Sequence, residues 1–506
     1  MKRVILLPLL ATWLAVATVN AAEPFGFASV KARAALLAAS PYEERLSRVP
    51  AALQSLDYDD FRRISYRRER AWWAETGLPF QLQFAHPGFL LKRTIQVSEV
   101  SGGRVTPIPF DRSAFNYYFD RDLGPIPSDL GFAGLRVLHP LNDPRGFDEV
   151  IVFQGASYFR ALGRSLHYGL SARGLALNSG GPAPEEFPVF EEFWIERPLP
   201  GSGNVIIHAL LDSPSVAGAY RFTVTPGDAT VVEVRSALYF RAGTEPAVVG
   251  IAPLTSMFWY GENSGTTHGD FRPEVHDSDG LAIARGNGEW LWRPLVNPRV
   301  IRTSAFSDEN PRGFGLSQRD RLFSAYQDLE AYYHLRPSAW VEPIGDWGRG
   351  SVRLLELPTP NETEDNIGVF WVPEKAPSAS EPLELAYRIH WFQEGSGGVQ
   401  PPAGRTVATR IGRSQTHDTD WVRFTVEFEG GPLATLGEEV AVEADVTVSG
   451  GAVLKHQTAI RNRFTGGQRA AFAILPDGSG RPVELRCFLR SADGALTETW
   501  TYLWNP

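Results

Sequence analysis

Residues 421–429 read Trp421-Val422-Arg423-Phe424-Thr425-Val426-Glu427-Phe428-Glu429. Val422, Phe424, Val426 and Phe428 fall on one side of an extended chain, and Arg423, Thr425, Glu427 and Glu429 on the other. The stretch therefore predicts a strand with one buried face. The same period of two recurs along the chain. Residues 440–448 alternate similarly, and 220–225 and 231–240 flank Pro226-Gly227-Asp228 as the arms of a hairpin. Helical signals are confined to two places. One is the Ala/Leu-rich run 27–39. The other runs from about Ser317 to Tyr332 and opens with Ser317 and Asp320 at capping-box spacing, Asp standing in for the usual Glu or Gln. With 48 Gly and 38 Pro to supply turns, the chain reads as all-β with a few short helices.

One boundary stands out. Residues 394–404 read Glu394-Gly-Ser-Gly-Gly-Val-Gln-Pro-Pro-Ala-Gly404, a flexible and then stiff linker composition. Residues 405–506 follow as short alternating strands whose number and spacing fit an immunoglobulin-like sandwich without paired cysteines. Residues 22–393 are too many for one small sandwich and read as a large double-sheet β-sandwich. Few contacts are expected to cross the linker. The single cysteine, Cys487, shares the apolar phase of Val483, Leu485 and Leu489 and is expected in a core.

At the start, Lys2 and Arg3 precede an apolar run from Val4 to Thr18, and Val19-Asn20-Ala21 supplies small residues at a cleavage site. Residues 1–21 therefore read as a secretory signal peptide leading to the periplasm, with the mature chain starting at Ala22. The run is shorter than the roughly 20 residues that span a bilayer. The formal net charge of −9 falls further once Lys2 and Arg3 are removed, which argues against nucleic acid as a partner. With 14 Trp, 15 Tyr and 30 Phe, the chain has aromatic faces enough for a sugar-binding groove, although large β cores use the same residues.

The densest polar and aromatic stretch lies between Pro253 and Trp371, on what read as loops between strands, where binding and catalysis concentrate. Two parts of it offer paired carboxylates, as glycoside hydrolysis requires. Asp277 and Asp279 sit in His276-Asp-Ser-Asp-Gly280, which reads as a short polar turn. Glu362, Glu364 and Asp365 lie between the strand-like runs 352–357 and 367–372. Asp277-Ser-Asp-Gly280 is not a calcium loop, since Gly falls at the fourth position and no Glu at the twelfth. The 10 His show no zinc spacing. No Gly-x-Ser-x-Gly elbow and no phosphate-binding loop is present. No metal and no cofactor is expected.

Several blocks carry a resemblance to a known family. They are Ala252-Pro-Leu-Thr-Ser-Met-Phe-Trp-Tyr-Gly-Glu-Asn263, Arg272-Pro-Glu-Val-His-Asp-Ser-Asp-Gly-Leu281, Asn287-Gly-Glu-Trp290, Trp292-Arg-Pro-Leu295, Ala331-Tyr-Tyr-His334, Arg336-Pro-Ser338, Trp340-Val-Glu-Pro343 and Asp365-Asn-Ile367. Tyr58-Asp-Asp-Phe-Arg-Arg-Ile64 and Gly131-Phe-Ala-Gly-Leu-Arg-Val-Leu-His-Pro140 also fit. In this order they resemble the G and D types of osmoregulated periplasmic glucan biosynthesis proteins, from about Phe25 to the end.

The resemblance implies a large N-terminal sandwich similar to the galactose-mutarotase group, followed by an immunoglobulin-like domain, and a β-1,2-glucan substrate. Some members are similar to inverting endo-β-1,2-glucanases. It then implies Asp365 as general acid, Asp277 as base and Tyr333 in the proton relay, with Trp259, Glu262, His276, Asp279, Trp290, Trp340 and Trp347 expected to bind substrate. In that group the acid acts through a substrate hydroxyl and the base through water, so the usual carboxylate separation does not apply. A non-catalytic glucan-organising protein and a β-1,6 branching transferase are the alternatives. Contact with a membrane glucan synthase and a homodimer are the partner possibilities. Three positions depart from the family pattern: Asp346 before Trp347, Leu335 after His334, and Gly368 after Ile367.

Overall fold

The computed structural model describes residues 24–264, 269–394, 399–413 and 420–506. The expected signal segment 1–21 and residues 395–398 of the expected linker lie outside the described residues. The alternation at 421–429 becomes the strand Val422–Glu429, in which Val422, Phe424, Val426 and Phe428 are all buried. The expected hairpin forms between Val216–Thr225 and Thr230–Phe240, with Thr225 opposite Val231. The helix at the start spans Phe27–Ala38 and packs Val30 and Ala34 against Trp194, Leu210, Ala217 and Ala219 on the outside of a sheet. Among the described residues no helix is long and apolar enough to cross a membrane.

The molecule is all-β. Two large sheets, one of ten strands and one of fifteen, face each other across a core that includes Phe153, Phe222, Ile251, Leu254, Trp371 and Trp391. In the ten-stranded sheet, Gln81–Ala85, Gly134–His139, Asp148–Gln154, Tyr158–Ala161, Ser171–Arg173, Val249–Ser256, Ile367–Pro373, Arg349–Glu356 and Arg302–Glu309 follow one another in space, and Ala176–Leu177 pairs with Val249–Ser256 off that path. One face meets the core; the other is half-buried along Gln83, Arg136, Val152 and Arg160 and is covered further on by a small apolar cluster of Ala176, Val248, Phe370 and Val372.

The C-terminal region is built of two layers. Arg405–Arg413, Val422–Glu429, Gln468–Pro476 and Ala452–Arg461 form one. The other contains Glu443–Val448, Val483–Ser491 and Thr499–Trp504, and it is continuous with the fifteen-stranded sheet, because Thr499–Trp504 pairs in parallel with Trp290–Pro294. Its core joins Phe424, Phe472, Cys487 and Trp500 to Ala282, Trp292, Trp340 and Phe392 from the first part of the chain. The sparse interface expected from the linker composition is therefore not what the chain builds: a hydrogen-bonded ladder and a shared apolar core cross it.

Residues 317–332 do not form the expected helix. Ser317 closes the strand Gly313–Ser317, and only Phe323–Tyr326 is α-helical. Gln327 and Tyr332 adopt left-handed backbone conformations at φ 57° and 50°, which a right-handed helix cannot accommodate.

Candidate active-site groove

The site begins at an irregularity in a strand. Within Val249–Ser256, Ala252 takes a positive φ of 48°, and the pairing with Ile367–Pro373 shifts register between Ile251 and Leu254. A bulge of this kind re-aims the side chains beyond it. Past it, Thr255 lies opposite Gly368, and its hydroxyl donates to Asp365 Oδ2 at 3.2 Å. Asn366, the next residue, is buried. Its Oδ1 accepts from Phe258 N at 2.8 Å, and its Nδ2 donates to the carbonyls of Phe258 and Leu357 at 3.0 and 2.9 Å. Asn366 thus ties the turn carrying Asp365 to two other segments, while Asp365 itself stays exposed. A Cβ added at Gly368 would meet Leu355 at an ordinary 3.7 Å, so the backbone does not demand glycine at this departure from the family pattern.

Asp277 arrives from elsewhere. It follows Val275–His276, which pairs with Phe258–Tyr260, and its N–H donates to Met257 O at 2.8 Å. The expected polar turn is in fact interior: Asp277 and Ser278 are buried. The Asp277 carboxylate accepts from Arg336 Nη1 in an ion pair. Burial pushes its proton affinity up, Arg336 opposes that, and the charge on Asp365 adds to the upward push.

Arg336 also lies over the ring of Tyr333, 4.2 Å from its centroid. The Tyr333 hydroxyl donates to Glu362 Oε2 at 2.5 Å. Burial, followed by that bond, drives Tyr333 well above the ordinary phenol range. Glu362 in turn accepts from Arg272 Nη1 at 2.7 Å, and Arg272 pairs with Asp270 at 2.7 Å and Asp328 at 2.9 Å. A continuous polar chain therefore runs from Asp277 through Arg336, Tyr333 and Glu362 to the turn that carries Asp365. Arg336, Arg272, Thr255 and Asn366 were not singled out as site residues from sequence, and Glu362 was read there only as a candidate carboxylate, not as the partner of Tyr333. Their roles come from partners up to 110 positions away, which leave no local signal.

The open groove beside Asp365 encloses about 770 Å³ and is lined by Arg136, Val152, Tyr158, Arg160, Tyr168 and Glu364, among others. Its aromatic residues, Tyr158, Phe159 and Tyr168, are not the tryptophans expected from sequence. Trp290 and Trp340 stack on each other at 5.3 Å over the C-terminal core. Trp347 is buried against Trp371 and Tyr387, and Trp259 packs on Tyr260.

Glu262, His276 and Asp279 lie in a seam between the large sandwich and the strand Arg405–Arg413. Glu262 accepts from Thr409 N and pairs with Arg410 at 3.1 Å, and burial pushes it up to about 7. Asp279 accepts from the backbone N–H groups of Arg319 and Asp320 at 2.7 and 3.1 Å. Burial raises it against the pull of His276 and Arg319, and burial together with Asp279 raises Asp320.

His276 has Gln318 Oε1 and Glu274 Oε2 each 2.9 Å from a ring nitrogen. The Gln318 amide is oriented by its donation to the carbonyls of His276 and Tyr333. Both ring nitrogens therefore face acceptors, the arrangement of a charged imidazolium. Burial opposes that charge, but Glu274 overrides it and lifts His276 to about 9. Glu274, His276 and Asp320 bring donor atoms within 4.8 Å of one another, yet a metal ion there would have to displace the hydrogen bond between His276 and Glu274.

A family model described as "Periplasmic glucan biosynthesis protein, MdoG" matches residues 25–504. "Glucans biosynthesis protein G" of Ralstonia nicotianae is 44% identical, covering 97% of this chain and 98% of that protein. A protein of the same description from Rhodopseudomonas palustris is 46% identical over 93% of this chain and 91% of its own length. "Glucans biosynthesis protein D" of Stenotrophomonas maltophilia is 44% identical over 96% and 90%.

Proposed function

The chain belongs to the MdoG family of periplasmic glucan biosynthesis proteins, and on that footing we propose that it cleaves the β-1,2-linked glucan backbone as an inverting endo-hydrolase. It is a periplasmic protein of glucan biosynthesis. The reading that it is a hydrolase rests on the groove. An exposed carboxylate, Asp365, stands at its wall, and a buried carboxylate, Asp277, is linked back to the same turn through Arg336, Tyr333 and Glu362. That linkage is the observation that carries the proposal, since it supplies both an acid and a shielded base with a hydroxyl between them.

In this reading Asp365 supplies the proton to the departing glycosidic oxygen through a hydroxyl of the bound sugar. Asp277 takes the proton of the attacking water, and Tyr333, held by Glu362, orders the path between water and base. The C1–O bond of the sugar breaks and a C1–O bond to water forms on the opposite face. Thr255 and Asn366 keep Asp365 in register with the groove. Residues 1–21 act as the export signal, and residues 405–506 form a second domain docked on the first.

A glucan-organising role without hydrolysis is the second reading, and the closure of Arg336 over Asp277 is what favours it. Incubating purified protein with linear β-1,2-glucan and following reducing ends and product anomeric configuration decides between them. Release of shorter chains with inverted configuration is expected. Binding without any new reducing ends overturns the hydrolase reading.

A further inference from the structure

A second cavity, of about 690 Å³, shares Arg136, Glu149 and Gln154 with the groove at Asp365. The sheet register shows that the two are stations on one track. Gln83 lies opposite Arg136, Arg136 opposite Val152, and Val152 opposite Arg160. Thr255 lies opposite both Ser171 and Gly368. Arg160 Nε reaches Ser171 Oγ at 2.6 Å, which closes the row from Gln83 to Gly368. Directly opposed residues point to one face, so the row crosses seven adjacent strands of the ten-stranded sheet on the face away from the core. At about 4.8 Å per strand it extends roughly 29 Å. Asp365 stands at one end and the second cavity at the other, with the Arg136–Glu149 ion pair, 2.6 Å long, between them.

The far cavity has the chemistry of a sugar site. Gln81, Gln83 and Gln154 line it, and among the described residues their amides make no hydrogen bond. A free amide both donates and accepts, which matches the hydroxyls of a pyranose. Phe147 lines the cavity with 37% of its surface exposed, and Tyr66 adds a second ring. The charges nearby are largely engaged: Arg136 with Glu149, Arg145 with Asp143, and Asp148 with the N–H of Asn142. Arg68, exposed at the rim, makes no ion pair among the described residues. A neutral, polyhydroxylated ligand fits this better than an ionic one.

We propose that this second cavity is a distal binding site for the glucan chain, so that a long chain is gripped there by Gln81, Gln83, Gln154 and Phe147 while another part of it lies at Asp365. This rests on the reading of the groove as a β-1,2-glucan site and adds a dependence on chain length to it. The test titrates linear β-1,2-glucan oligosaccharides of graded length into the Asp365→Asn protein by calorimetry, so that turnover does not consume the ligand. Affinity is expected to keep rising for chains long enough to reach both cavities.

In a Gln81→Ala/Gln83→Ala variant, which leaves the shared Gln154 in place, and separately in Phe147→Ala, that rise should collapse. The longest chains should bind about five- to thirtyfold more weakly, the worth of one or two neutral hydrogen bonds. Thermal melts check the fold of each variant, and Phe147, in a loop, gives a reading independent of the strand substitutions. If affinity climbs with length equally in both variants, the distal site is overturned while the reading of the Asp365 groove stands. If no length of β-1,2-glucan binds the parent protein, both are overturned.

Discussion

Asp277 is a buried carboxylate facing one cation, and the balance between burial and Arg336 decides its charge. Arg336→Met removes the paired cation and leaves only the weaker pull of Arg160 against burial and the charge on Asp365. The acidic limb of the rate profile should then move to higher pH, because the base must lose a more tightly held proton; kcat/KM measured from pH 4 to 9 checks this. Asp365→Asn should reduce hydrolysis of β-1,2-glucan by about 10²–10⁴-fold while leaving binding largely intact, the range for loss of one acid–base group. Asp277→Asn should cost a similar factor in initial rate, and Asp279→Asn less. A larger loss at Asp279 would reverse the assignment within the pair. The sequence blocks already named Asp365, Asp277 and Tyr333, but nothing in them announces Arg336 or Glu362 as the connectors. Those are identified by contacts 59 and 29 positions apart.

The strands were legible as elements because a half-buried strand repeats every two residues and needs no knowledge of its partner. The failure at 317–332 has an equally local cause. Ser317 and Asp320 have capping-box spacing, but two left-handed residues and a strand ending at Ser317 divide the segment. What positions Asp365, the proposed acid, is the junction between Val249–Ser256 and Ile367–Pro373, held by the Asn366 amide. Asn366→Ala leaves a buried N–H and two carbonyls without their partner. Denaturant unfolding should show a stability loss of about 1–3 kcal/mol, accompanied by a fall in kcat as Asp365 loses its anchor.

The molecule's two parts are held by more than their linker. Arg319, buried beside Trp292, bonds Glu498 at 2.6 Å and the carbonyl of Thr406 at 2.8 Å, and the ladder at Leu291 and Thr499 runs across the seam. A chain cut within residues 394–404 should therefore elute as one species in size-exclusion chromatography and separate only in denaturant. The seam also sets a pH dependence. Glu262 keeps its proton up to about pH 7 when folded, against an ordinary value of 4.5, and His276 up to about pH 9 against 6.5. Unfolding thus releases protons between those limits, so stability is greatest on the acidic side and falls as pH rises from about 4.5 to 9. The melting temperature should decline across that window, and His276→Gln should flatten the decline above pH 6.5.

By itself the sequence determined the all-β class, the hairpin at Pro226-Gly227-Asp228, the burial of Cys487 and the family, because alternation, turn chemistry and contiguous blocks are written along the chain. Only the tertiary structure decided which acidic and aromatic residues share a space. Asp277 and Asp279 are two positions apart, yet one faces Arg336 and the groove residues while the other faces Arg319 in the seam. Trp290 and Trp340 go to a core, and Tyr158 and Tyr168 line the groove. The physical reason is that a strand's two faces and a sheet's neighbours are assigned by pairing across distant segments. A residue's type sets what it can do, and its register sets what it touches.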